Sequence, residues 1–312
     1  MTASDVSQHR AAMPDPAVVI FTEKADWHSH GLARALEREG LRPLIRSMTE
    51  CGFTLASGAP GLHVPGVDGL PEAIFVRLIP AGDTEQITSR LGLLHAARSM
   101  GVPVVNDARA IEVCVDKAMT TFVLAQAGLP TPLTIVRERR ADAQAALDAH
   151  GAPMVLKPLF GAQGKGVALV RPGEPLPEPV GGVFYLQAFV EARGSRASGR
   201  AHDWRVFTIR DRAVGAMIRH AEKGWITNIF QGATGEPAPV DGEAAALAVR
   251  AAAAVGADYA GIDLIEDEDG RFLVLEVNSM PAWKGLNAAT GLDIAAELAR
   301  DVARRLARAD AA

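Results

Sequence analysis

The sequence predicts a parallel α/β domain at the amino terminus followed by an α+β region of antiparallel strands. Three observations carry this. Apolar runs alternate with helix-period segments up to about residue 115, and beyond that point short apolar runs are separated by tight glycine-rich turns. The chain is also long enough for several packed units, with 312 residues, 48% hydrophobic and 22% charged.

Residues 1–16 are polar, carry no apolar core behind a basic start, and are expected to be a loose tail rather than a secretion signal. Ala17–Phe21 is an apolar strand; Leu32 and Leu36 mark a helix ending at Gly40, and residues 41–45 form the next strand. Residues 73–77 add a strand, 84–100 a helix with Ile87, Leu91 and Leu94 on one face, and 101–105 a further strand after a glycine stop. This alternation assigns 17–115 to the parallel α/β domain. From Asp116 a helix runs to about residue 127, and strands are expected over 153–157, 167–170 and 183–189. Hairpins follow over 204–219, turning at Arg210-Asp211-Arg212, and over 261–278, turning at Asp267 to Gly270, with helices near 243–255 and 293–308. Loops are expected at 171–182 and 192–201.

Lys and Arg total 32 against 37 Asp and Glu, a net charge of −5, which offers no general attraction to nucleic acid or anionic membrane. The alanine-dominated stretch 244–260 is interrupted by Arg250 and Asp258 and is too short to span a bilayer. Two cysteines, Cys51 and Cys114, cannot build a disulfide framework and suit a reducing compartment. The expectation is a cytoplasmic protein with no nucleic-acid or membrane partner.

Chemistry concentrates in the second region. Lys157 ends a strand and is followed by Pro-Leu-Phe-Gly161-Ala-Gln163-Gly164-Lys165-Gly166. Glycines there let backbone N–H groups turn toward phosphate oxygens while Lys157 adds charge, although a plain glycine hairpin with a solvated lysine fits this segment equally well. The order is not that of a P-loop. Glu276 and Asn278 are two apart on one strand and share a face, and Asp263 lies on the preceding arm of the same hairpin amid Ile, Leu and Val. Such an oxygen-only trio suits a hard cation, Mg2+ better than Ca2+, the alternative being ordinary solvated carboxylates on an exposed strand. Arg205 and Arg219 fall on paired strands with Asn228 shortly after, where guanidinium groups can stabilise a triphosphate and a transferring phosphoryl group. For either arginine alone, a surface salt bridge is the favoured reading.

Taken together, Asp116-Lys117, Lys157 with its glycine loop, Leu186-Gln187-Ala188-Phe189, Asp203-x-Arg205, Arg219, Asn228, Gly261-Ile-Asp263, Glu276-Val-Asn278 and Gly291-Leu-Asp-Ile294 resemble the ATP-grasp superfamily, specifically the RimK-type glutamate ligases. The resemblance spans roughly residues 113–309. It implies an ATP-grasp fold of two α+β subdomains, 116–182 and 183–312, and ATP phosphates held by Lys117, Lys157 and the loop containing Gly161, Gln163, Gly164 and Gly166. It further implies that Gln187, Ala188 and Phe189 lie at the adenine, with Asp203 a further nucleotide contact. Asp263, Glu276 and Asn278 would be the Mg2+ ligands, with Mn2+ as a substitute, and Arg205, Arg219 and Asn228 the catalytic set. The implied reaction phosphorylates a carboxylate, and an amine then displaces phosphate to form an amide.

Three departures from the family pattern stand out: Ile226 where some relatives carry a basic residue, Ser279-Met-Pro-Ala-Trp283-Lys284 after the metal strand, and a long 192–201 loop. In the amino-terminal half, Asp26-Trp-His28-Ser-His30 follows the first strand, and Arg77 ends another, where α/β sheets place ligands. This resembles the branch that adds glutamate to tetrahydromethanopterin-type cofactors, making L-glutamate and a carboxylate acceptor the expected substrates and a homo-oligomer the expected assembly. Arg77 and Trp283 are the expected substrate contacts at the mouth between domains, the alternative being a sheet-edge salt bridge for Arg77 and a core anchor for Trp283. A zinc pair at His28 and His30 lacks a third ligand. The competing readings are a peptide- or protein-tail ligase and an ATP-binding regulatory protein without turnover.

Overall fold

The structure is a computed structural model, and it describes residues 17–56, 59–161 and 165–309. The first unit runs β1 (Ala17–Phe21), α1 (Trp27–Arg38), β2 (Arg42–Arg46), β3 (Gly52–Ala56), β4 (Ala59–His63), β5 (Ala73–Val76), α2 (Thr84–Ser99), β6 (Val104–Val105) and α3 (Ala108–Val115). Its sheet has the order β2-β1-β5-β6 and is parallel throughout. β1 and β5 are apolar and buried at every residue because helices cover both faces of the sheet. Asp26 caps α1 by accepting from the Ser29 N–H, and Asp83 caps α2 through Gln86. On α2 the buried residues are Leu93, Leu94 and Ala97, while Ile87 and Leu91 are half-buried, so the apolar face sits later on the helix than its periodicity implies.

The second unit comprises α4 (Lys117–Gln126), β7 (Thr134–Arg137), α5 (Arg140–His150), β8 (Met154–Lys157), β9 (Ala168–Val170) and β10 (Phe184–Ala188). These strands form an antiparallel sheet in the order β7-β10-β8-β9. A subdomain break at 182/183 therefore falls one strand early, since β10 pairs with both β7 and β8. Helix α5 has no counterpart in the sequence reading. It buries Ala143 and Leu147 alone, too little apolar surface to show a period, and ends at Gly151 with φ 71°.

The third unit runs α6 (Ser195–Ser198), β11 (His202–Ile209), β12 (Arg212–His220), β13 (Thr234–Pro237), α7 (Gly242–Ala254), β14 (Tyr259–Glu266), β15 (Phe272–Asn278), α8 (Lys284–Thr290) and α9 (Ile294–Ala309). Its five strands lie in the order β13-β12-β11-β14-β15, antiparallel throughout. The alanine-rich α7 lies close on one face, over Val206, Ala216, Ile262 and Val277. The opposite face is shared between the site and the first unit. There Phe207, Tyr259, Trp283 and Leu286 join one core with Val18, Ile20 and Phe75, and α9 covers α1 through Leu298 and Val302.

Asn106, fully buried after β6, joins the first and third units. Its Nδ2 donates to the carbonyls of Tyr259 at 2.8 Å and Ser279 at 2.5 Å, and its Oδ1 accepts from the N–H groups of Asp258 and Tyr259 at 2.6 and 3.0 Å. Tyr259 returns a bond from its hydroxyl to the Val76 carbonyl at 2.8 Å. Asn106→Ala strips partners from buried backbone groups and is expected to cost about 3 kcal/mol of stability, measured by urea denaturation.

His28 bridges the same units. Its Nε2 accepts from the Trp283 N–H at 3.3 Å, and its Nδ1 lies 3.0 Å from Asp26 Oδ2, a pattern that requires the neutral ring. Burial first, and then the charge of Arg77, hold His28 below the ordinary histidine value against the pull of Asp26. A histidine depressed in the folded state contributes stability that is present above its unfolded pKa of about 6.5 and lost as pH falls below it. Stability is expected to decline on acidification from pH 7.5 toward 5.5, and His28→Gln should flatten that slope in urea melts.

Candidate active site

The site is set by strand register. Asp203 and Arg205 are two apart on β11 and share a face. Asp203 stands opposite Arg219 on β12; Arg205 stands opposite Asp263 on β14, which in turn faces Glu276 on β15. Four adjacent strands thus set one row of charges on one face. Arg219 grips Asp203 with Nε at 2.8 Å and Nη2 at 2.5 Å, and its Nη2 also lies 3.1 Å from Asp263 Oδ2. Arg205 completes the row by donating from Nε to Asp263 Oδ1 and from Nη2 to Oδ2, the latter at 3.0 Å. Burial alone would raise the Asp263 carboxyl, but Arg205 and Arg219 outweigh it and hold the group below the usual carboxylate range. Burial likewise works against the charge on Arg219, and Asp203 and Asp263 overcome it and raise its pKa.

A β-bulge shapes the far end of the row. Asp263 pairs with Glu276 while Leu264 pairs with Val274, so Leu275 is the extra residue of β15. The bulge lets Leu275 and Glu276 both line the cavity, while Val274 and Val277, three apart, both join the α7 core.

The second unit supplies the opposite wall. Asp116 caps α4, accepting from the N–H groups of Ala118 and Met119, and so places Lys117 on the first turn. Lys117 Nζ donates to the Gly161 carbonyl at 2.8 Å and lies 3.4 Å from Glu276 Oε1. Lys157, at the end of β8, donates to Gln187 Oε1 at 2.6 Å, and Gln187 in turn donates to the Tyr185 hydroxyl at 3.1 Å. Burial, reinforced by Lys117, pushes the Lys157 ammonium below the ordinary lysine value, against the pull of Glu276, Asp263 and Asp203.

Between the walls lies a cavity of about 520 Å³. Thirteen of the expected site residues line it: Lys117, Lys157, Gly161, Gln187, Ala188, Phe189, Asp203, Arg205, Arg219, Asn228, Asp263, Glu276 and Asn278. Gly166 does not line it, though its neighbours Lys165 and Val167 do; it sits at φ +71°, where an added Cβ would meet Pro158 and Val180 at 3.0 and 3.1 Å. Gln163 and Gly164 lie outside the described residues. The N–H groups of Ala188 and Phe189 donate to the carbonyls of Leu133 and Pro153, which commits those two donors to the protein itself. Asn228 uses its side-chain oxygen to accept from the Phe230 N–H at 2.8 Å.

Arg77 and Trp283 require correction: neither lines the cavity. Trp283 is fully buried in the core between units, and Arg77, 7% exposed, lies with its guanidinium 4.6 Å over the Trp283 ring. The aromatic face expected to receive a planar substrate is covered by the protein's own arginine. The apolar lining was missed in sequence. Val155 and Ile265 sit two residues from Lys157 and Asp263 on their strands, so period-two reasoning would find them. Leu275 is hidden by the bulge, and Trp225, edge-on to Phe189 at 5.8 Å, sits in a loop with no periodicity to read.

The donor chemistry bears on metal. Among the described residues no group of three or more His, Cys, Asp or Glu side chains can hold a cation. Two carboxylates and an amide, Asp263, Glu276 and Asn278, fit a hard cation that brings further oxygen ligands with it.

A RimK-like ATP-grasp domain matches residues 114–302. The chain is 31% identical over 287 residues to the tetrahydromethanopterin:alpha-L-glutamate ligase of Methanococcus maripaludis, covering 89% of this chain and 95% of that protein. It is 29% identical over 284 residues to a probable alpha-L-glutamate ligase of Legionella pneumophila, with 90% and 93% covered. The solved ATP-grasp ligase PsnB, complexed with its minimal precursor, aligns at a TM-score of 0.73 and 20% identity over 93% of this chain and 99% of that one. The fold is therefore that of an ATP-grasp ligase. Within that class the chain belongs to the RimK-like ATP-grasp family.

Removing one member of the buried row leaves a charge without its partner. Asp203→Ala is expected to destabilise the protein by about 3 kcal/mol in chemical denaturation, whereas the double replacement Asp203→Leu with Arg219→Met should recover most of that loss.

Proposed function

We propose that the protein is an ATP-dependent carboxylate–amine ligase that adds L-glutamate to a carboxylate-bearing acceptor of the tetrahydromethanopterin type. The observation that carries this reading is the single cavity in which Lys117 and Lys157 face the row of Arg219, Asp203, Asp263 and Arg205. Lys117 and Lys157 bind phosphate oxygens of ATP, and Val155, Ile265 and Leu275 give the base an apolar slot. Asp263, Glu276 and Asn278 would hold Mg2+, or Mn2+ in its place, which supplies charge neutralisation along the triphosphate.

An acceptor carboxylate oxygen attacks the γ-phosphorus and the bond to ADP breaks. The amine of glutamate then attacks the acyl carbon of the resulting acylphosphate, inorganic phosphate leaves, and the amine gives up a proton. No covalent bond to the protein forms, so the residues act by position and charge. Arg219 and Arg205, fixed by their carboxylates, present guanidinium charge toward the oxygens where negative charge develops. Asn228 completes that side of the cavity. The 31% identity to the Methanococcus protein over nearly its whole length supports the choice of glutamate and of a pterin-type acceptor. Free cysteines and a composition without basic excess accord with a cytoplasmic location, and among the described residues no helix is long and apolar enough to cross a membrane.

Incubation with ATP, Mg2+, L-glutamate and a panel of pterin, flavin and peptide acceptors is expected to give ADP release together with a glutamyl mass increment on the pterin. Glu276→Gln should lower that turnover by about two orders of magnitude while leaving the melting temperature unchanged. Nucleotide binding without ADP release on any acceptor would favour the regulatory reading instead.

A further inference from the structure

The segment that leaves β15 directly after Glu276 and Asn278 is held from outside its own unit. Alternate residues along it each make one hydrogen bond to a side chain of the first unit. Asn106 Nδ2 donates to the Ser279 carbonyl at 2.5 Å, Arg77 Nη1 donates to the Pro281 carbonyl at 3.0 Å, and the Trp283 N–H donates to His28 Nε2 at 3.3 Å. Three bonds at every second residue make a splint across the unit boundary.

Arg77 is the costly member of this splint. Its guanidinium is buried against the Trp283 ring, and its Nε is a buried donor with no partner among the described residues, as is the indole Nε1 of Trp283. An apolar side chain would fill this core position with less desolvation. Stability alone therefore does not account for an arginine here.

The other side of the splint reaches the site. A Cβ added at Gly261 would come within 2.8 Å of Pro281 Cβ and 3.0 Å of Arg205 Nη1, so the proline ring and the arginine side chain both lie against this one bare Cα. Gly261 is two residues before Asp263 and pairs in register with Asn278, whose Nδ2 lies 3.4 Å from the Gly261 carbonyl. Arg77 thus touches Pro281, Pro281 touches Gly261, and Gly261 adjoins both Arg205 and Asn278.

We propose that Arg77 is a positioning residue for the cation donors: by pinning Pro281 against Gly261 it sets the spacing of Asp263, Glu276 and Asn278. The inference rests on the ligase reading in one respect, that these three residues hold a divalent cation. It concerns nucleotide and cation binding and does not depend on which acceptor is used.

The test is calorimetric titration of the full chain with the non-hydrolysable analogue AMPPNP, with and without Mg2+. In Arg77→Ala the gain in affinity that Mg2+ confers is expected to shrink about tenfold while metal-free affinity stays within about twofold. Arg77→Lys keeps the charge and one donor but loses the flat stack, so it should show a loss of about threefold; it carries the comparison if Arg77→Ala does not fold. A lowered melting temperature with the Mg2+ gain intact in both variants would make Arg77 a packing residue and overturn the inference. If the unmodified protein binds AMPPNP but gains nothing from Mg2+, the cation reading fails and the inference falls with it. Mg2+-dependent binding without turnover on any acceptor would remove the ligase reading while leaving the role of Arg77 standing.

Discussion

Asp263 is shared by two guanidinium groups, and the arrangement of the third unit follows from keeping it so. A buried carboxylate is tolerated only when its oxygens are fully engaged, and here Arg205 takes both oxygens while Arg219 approaches one of them. Those contacts exist because β12, β11, β14 and β15 are neighbours in a fixed register. A slip of one residue would send the whole row to the face that α7 covers with Ala248, Ala251 and Ala252. The apolar packing of α7 and the charged row opposite it are two halves of one constraint, each penalising any register but the observed one.

The opposite wall answers that row with its own unsettled charge. Lys157 is engaged by the neutral oxygen of Gln187 rather than by a carboxylate, and Lys117 contacts a backbone carbonyl more closely than it contacts Glu276. Lys157 is thus held in place by a neutral group, and Lys117 by a carbonyl with Glu276 at 3.4 Å. An anion entering the cavity meets donors already ordered, which lowers the entropic cost of binding.

The elements that place the site were legible because their periodicity is strong. Glu276 and Asn278 on one strand face, Asp263 on the facing arm, and the paired strands of Arg205 and Arg219 stand where residue spacing puts them. What escaped reading has physical causes. Helix α5 buries two side chains and leaves no pattern. The bulge at Leu275 breaks the alternation on which strand reasoning depends. Trp283 follows β15 closely enough to suggest a substrate contact, and nothing in its neighbours reveals that α8 and the first unit enclose it completely. Whether an aromatic at a unit boundary faces solvent or core is decided by residues remote in sequence, here Arg77 and His28.

The packing of α9 on α1 has a bearing on how the chain is made. Leu32 and Leu36 are covered by Leu298 and Val302, and Arg38 on α1 meets Asp293, 255 residues later. On the ribosome, α1 emerges well before α9, whose surface shields its apolar stripe, and the interval between them is on the order of tens of seconds. The cover of α1 in the first unit is thus encoded in the last helix of the third unit. A nascent chain carries an uncovered leucine face until α9 emerges, and a product truncated before residue 294 keeps it permanently, which marks both as substrates for chaperones and proteases.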